Sequence, residues 1–266
     1  MRAFLMAAAL LAIPAIATAE DKVKKTDVKT KKVEYKYGDK TFVGTIAYDD
    51  AMKGKRPGVL VVHEWWGLDD YTRIRAQQLA ELGYVAFACD MYGDGKLAAH
   101  PMDANAMATE VRKNVADWQG RATAALKVLT DNELVDDKKL AAMGYCFGGT
   151  TALQLAATGA DLKAVVTFHS ALPKFSEAEA KKIKAKVLVC HGADDYFIKP
   201  EVIEAFKKAL TEAKVPLTFE EYPGAVHSFT VPGADKHAVK GMGYNAAADA
   251  KSWSSMKKLF EDAFKK

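Results

Sequence analysis

Residues 144–149 read Gly-Tyr-Cys-Phe-Gly-Gly and follow directly on the apolar run 140–143. A reactive side chain with glycines two before and two after it is the pattern of a nucleophile elbow. That strained turn from strand into helix leaves no room for larger neighbours. Cys146 is therefore the candidate nucleophile, standing where a serine is more usual. It needs a base, and the base needs a group that orients it. In sheets that carry such an elbow the chain order is nucleophile, acid, histidine. Two acids follow "VLVCHG"; the spacing after Gly192 favours Asp195, while Asp194 reads as a turn former or helix cap. The candidate base is His227 in "GAVHSF". His63, His169 and His191 come too early for that role, and His100 and His237 read as surface residues in loops.

These groups cooperate only if the chain brings them to one rim. "GVLVVHE", "YVAFACD", "LAAMGYC", "AVVTFHS", "KVLVCHG" and "LTFEEYPG" read as six buried strands, near-continuously apolar as in a parallel sheet covered on both faces. Helical patterns alternate with them, and "VEYKYGDKTFVGTIAYDD" reads as an antiparallel hairpin turning at Gly38-Asp39. This alternation predicts an α/β class: a mostly parallel, doubly wound sheet with an N-terminal antiparallel hairpin. Ligands bind such sheets beyond the carboxyl ends of the strands, where the reactive residues concentrate. Trp65, Trp66, Tyr92 and Phe229 are candidates for an apolar substrate pocket, and loops 92–108 and 231–245 are expected to shape it.

Arg2, the apolar stretch after it and Ala17-Thr18-Ala19 read as a secretory signal over 1–19, too short to span a bilayer comfortably. The expected product is periplasmic or secreted, cleaved near Ala19, with a Lys-rich solvated tail over 20–31 and one domain over 32–266. No stable membrane insertion is expected after cleavage, and the protein is expected to be a monomer. A net charge of +4 is too small to argue for a nucleic-acid partner. Three cysteines, an odd number with no CxxC, leave at least one free thiol. His63-Glu64 begins an H-E-x-x-H pattern, but Gly67 stands in its fifth place, so the zinc motif fails. With no Rossmann or Walker glycine pattern either, no metal and no cofactor are expected. A glutamine amidotransferase would need a late His-x-Glu pair, which His227-Ser228-Phe229 is not.

The stretches "VVHEWWG", "CDMYG", "GYCFGG", "HGADDYFI" and "GAVHSF" together resemble the dienelactone hydrolase family across nearly all of the expected domain. The resemblance implies an α/β-hydrolase fold and a Cys-His-Asp triad, here Cys146, His227 and Asp195. It implies an ester or lactone substrate, a covalent acyl-enzyme and an oxyanion hole from the backbone amides of Trp65 and Phe147. It also implies a glutamate beside the thiol, at Glu64. A helix N-terminus favours thiolate by about 0.3–1 kcal/mol. A carboxylate about 4 Å away opposes it by about 4 kcal/mol at an effective dielectric of 20. Cys146 is thus expected to rest protonated until substrate displaces Glu64. Where the family carries arginines for a substrate carboxylate, this chain has Asp94 and Val231, and Lys96 is a nearby substitute. The alternative is a binding or redox-responsive protein on the same scaffold, without turnover. Cys89 and Cys190 should lie on strands too far apart for a disulfide.

Overall fold

The computed structural model describes residues 26–265, so the signal-like stretch 1–19 and the first part of the tail lie outside the described residues. An antiparallel hairpin, β1 (Val28–Tyr37) and β2 (Lys40–Asp49), turns at Gly38-Asp39 as expected. Then strands and helices alternate: β3 (Arg56–Val62), α1 (Asp70–Glu81), β4 (Val85–Cys89), α2 (Pro101–Arg112), α3 (Val115–Thr130), β5 (Val135–Tyr145), α4 (Phe147–Ala156) and β6 (Ala164–Phe168). The chain continues through α5 (Glu177–Ala180), β7 (Lys186–Gly192), α6 (Pro200–Glu212), β8 (Leu217–Tyr222) and α7 (Ala246–Phe264). The sheet order is β1-β2-β4-β3-β5-β6-β7-β8, antiparallel through β1, β2 and β4 and parallel from β4 onward.

Alternation along each strand feeds two cores. Leu60, Val62, Phe87 and Val189 face the layer of α2, α3, α4 and α6, whereas Val59, Val61, Ala88 and Met143 face α1 and α7. Successive strand side chains point to opposite faces, so the inner strands must be apolar throughout to fill both. Asp69 and Asn114 fix the starts of α1 and α3 by accepting from the Thr72 and Asp117 amides.

Two expectations need correction, while the one about the cysteines holds. The segment read as a solvated tail through residue 31 enters the sheet at Val28. Its backbone pairs with β2, while Lys29, Lys31, Lys32 and Lys36 stay in solvent and guard an exposed edge. The other edge strand, β8, is only half-buried. The second half of the expected loop 92–108 instead begins α2, which Pro101 opens and in which Ala104, Ala108 and Val111 make a buried stripe. Cys89 and Cys190 fall on β4 and β7 with three strands between them, and all three cysteines are free thiols.

Candidate active site

Winding reverses between β3 and β5, since β4 lies on one side of β3 and β5 on the other. A crevice beyond the strand ends opens at such a switch point. Glu64 and Cys146 follow the paired residues Val62 and Gly144 at the mouth of that crevice.

Cys146 has φ 51° and ψ −114°, a left-handed conformation rarely taken by a residue with a Cβ. Its amide donates to Phe168 O at 2.9 Å, and its side chain is partly exposed. The turn works only because its flanks are bare. A Cβ on Gly144 would lie 2.2 Å from the Gly148 carbonyl carbon, and one on Gly148 would lie 2.2 Å from Val62 O. The Phe147 amide opens α4, where the first amides have no acceptor in the helix. The Trp65 peptide sits in the turn after β3, held by Tyr92 Oη, which donates to Trp65 O at 2.8 Å.

Across the crevice, His227 Nδ1 lies 2.8 Å from Asp195 Oδ2. Asp195 Oδ1 accepts from the Phe197 amide at 3.0 Å, so both carboxylate oxygens are fixed. The main chain of His227 is held by Gly241 O and the Gly243 amide, which tie it to the loop before α7. Burial opposes charge on the imidazole. The neighbouring Cys146 sulfur and Asp195 outweigh it and raise His227 well above its ordinary value. The four residues Cys146, His227, Asp195 and Glu64 thus come together at one rim.

Glu64 also meets the loop after β8: its Oε1 accepts from Ser228 Oγ at 2.9 Å and lies 3.8 Å from His169 Nδ1. Burial pushes its carboxyl up to about 7, with His227 and Ser228 holding back part of that rise.

The aromatic candidates divide. Trp66 is buried and stacks on His237 at 4.3 Å between ring centroids. Tyr92 is a strut under Trp65 and also lines a recess with Lys96 and Met107. Phe229 is fully buried in the core against Tyr222 and His169, so it lines no pocket; its position two after His227 turns it inward. Sequence reasoning missed Phe197, 45% exposed and edge-on to His227 at 5.4 Å, although it stands two residues after Asp195. It also missed Ser228 and Thr230, which follow His227 directly. Asp90 has a structural role: it accepts from the amides of Tyr92, Gly93, Gly95 and Val43 and fixes the loop after β4. Asp94 is exposed and paired with Lys96 at 3.5 Å, and Val231 is buried. Among the described residues, no group of three or more His, Cys, Asp or Glu side chains is placed to hold a metal ion, and no helix is long and apolar enough to cross a membrane.

A family model described as the dienelactone hydrolase family matches residues 42–264. The chain belongs to the dienelactone hydrolase family. A provisionally named carboxymethylenebutenolidase of Aquifex aeolicus (strain VF5) is 30% identical over 196 residues, 72% of this chain and 84% of that protein. Among solved structures, one titled m3DLH superposes with a TM-score of 0.87 at 41% identity, covering 90% of this chain and 99% of that one. A dienelactone hydrolase-like promiscuous phosphotriesterase from metagenomic libraries matches with a TM-score of 0.87 at 40% identity and the same coverage. The fold is accordingly the α/β-hydrolase fold, and this dienelactone hydrolase family member is a hydrolase of the ester and lactone class.

Proposed function

We propose that the protein hydrolyses neutral esters or lactones through a Cys146-His227-Asp195 triad. The observation that carries this is the 2.8 Å contact of His227 Nδ1 with Asp195 Oδ2, with the imidazole against Cys146 at the strained elbow. His227 holds the thiol proton while Cys146 Sγ attacks the carbonyl carbon. The Trp65 and Phe147 amides receive the charge that develops on oxygen. As the tetrahedral intermediate collapses, the C–O bond breaks and His227 protonates the departing alkoxide, leaving a thioester on Cys146. Water, deprotonated by His227, then releases the acid and restores the thiol.

Neutral substrates are favoured because an exposed Asp94 and a buried Val231 offer no cation for a substrate carboxylate. The 40% identity to a promiscuous phosphotriesterase favours phosphotriesters as a second class for the same thiol. The signal-like stretch supports a periplasmic or secreted enzyme, which we take to act as a monomer. Hydrolysis of p-nitrophenyl acetate, a small lactone panel and paraoxon by the wild type and by Cys146→Ala tests the reading. The variant should lose at least a hundredfold on every substrate that the wild type turns over; equal rates would overturn it.

A further inference from the structure

The candidate triad leaves a line of buried polar side chains unused behind it. His169 sits at the end of β6, 0% exposed, with φ 42°, a backbone region that few non-glycine residues enter. Its Nε2 lies 2.7 Å from Thr230 Oγ1. Its Nδ1 is buried without a hydrogen-bond partner, 3.8 Å from Glu64 Oε1.

The direction of the hydrogens follows from the far end of the line. Arg75 Nε is a donor only, and it donates to Tyr71 Oη at 3.1 Å. Tyr71 in turn donates to Thr230 Oγ1 at 2.7 Å. The hydroxyl hydrogen of Thr230 then has His169 Nε2 as its acceptor. Burial, reinforced by His227 and Arg75, lowers His169 well below the ordinary imidazole value, so the ring is neutral and carries one hydrogen. With Nε2 accepting, that hydrogen is on Nδ1, the atom that faces Glu64.

We propose that His169 is a positioning residue: its Nδ1–H and the Ser228 hydroxyl form a two-donor seat that holds the Glu64 carboxylate on the His227 side of the site, off the Cys146 thiol. One donor is engaged at 2.9 Å, and a small turn of the Glu64 side chain closes the other from 3.8 Å. This deepens the thiol reading above and rests on it. The remaining charged or titratable groups near the seat are Asp69 before α1, Tyr145 on β5 and His227; Asp249 of α7 is taken up by Arg75. Seated there, an ionised Glu64 supports the His227 imidazolium. Unseated, it either takes up a proton or turns to the thiol, and each weakens the thiolate–imidazolium pair.

Alkylation of Cys146 by iodoacetamide, followed by mass spectrometry of the purified protein from pH 5 to 9, reads that pair, because Cys89 and Cys190 are fully buried. His169→Phe should slow alkylation at pH 7 about tenfold, as expected for a lost hydrogen bond to a charged group. His169→Asn places an amide donor near the Nδ1 position and should stay within about threefold of wild type. Tyr71→Phe frees the Thr230 hydroxyl to reverse and should slow the reaction about threefold. A wild-type profile in His169→Phe, or an Asn variant as slow as the Phe one, overturns the seat. Should His169→Phe fail to fold, a wild-type profile in Tyr71→Phe overturns it. Ester hydrolysis by Cys146→Ala at the wild-type rate removes the thiol reading and the seat together. Unchanged labelling in His169→Phe beside an inactive Cys146→Ala removes the seat alone.

Discussion

Asp195 and Asp194 are neighbours of the same type, and orientation separates them. Asp195 is buried, with one oxygen on the Phe197 amide and the other on His227, while Asp194 is exposed. Asp195→Asn keeps the shape but removes the charge that favours the imidazolium and fixes its tautomer. It should lower kcat at least a hundredfold with little change in unfolding temperature, as steady-state kinetics and a melting curve would read together. Glu64 carries a different prediction. Its carboxyl is raised from 4.5 to about 7 by burial, so the native state holds this proton more tightly than the unfolded chain does. Stability is therefore fully kept below pH 4.5, falls as pH rises towards 7, and stays reduced above it. Glu64→Gln removes that dependence. Relative to wild type it should gain about 3 kcal/mol on going from pH 4.5 to pH 8, read by urea unfolding at the two values. A pH-independent difference would mean that burial does not hold Glu64 in this state.

The elbow joins β5 to α4 and presses both against β3, so its glycines belong to the packing of elements. Gly148→Ala would drive a Cβ into Val62 O, a backbone atom that moves only if α4 lifts from β3. The expected result is a loss of about 3 kcal/mol or more in unfolding free energy. Hydrolysis should fall further than stability explains, because the Phe147 amide and Cys146 move with the helix. Retention of both would show that α4 yields more readily than its contacts imply. Between β4 and α3, the second half of the segment has the apolar spacing of a helix, yet the glycines of its first half and the polar residues between its alanines make the whole stretch resemble a loop.

Across the molecule, a buried charge ties the layer of α1 and α7 to the crevice. Arg75 of α1 pairs with Asp249 of α7 at 2.5 Å, both largely buried, and donates to Thr230 O in the loop that carries His227. Removing one partner of such a pair leaves the other charge buried. Asp249→Ala should cost about 3 kcal/mol. For a chain of this size that lowers Tm by roughly 6–12 °C, which calorimetry would read. An unchanged Tm would show that water reaches Arg75 when its partner is gone.

The amino-acid sequence alone carries the alternation of strand and helix, the two-residue hairpin turn, the free cysteines on separated strands and the family. Each is carried by local pattern: period, glycine spacing and short motifs that survive in any context. It also singled out Asp195 over Asp194 by spacing, and the structure puts the first of them against His227. Packing in three dimensions makes Phe229 core, stacks Trp66 on His237, sets Tyr92 under the Trp65 peptide and brings Glu64 to Ser228. It also brings His169, Thr230, Tyr71 and Arg75 into one line. Those outcomes depend on which way a side chain leaves its strand end and what meets it there. Neither is written in residue type, because the partners are brought together by the fold, as Glu64 and Ser228 are from 164 residues apart in the chain.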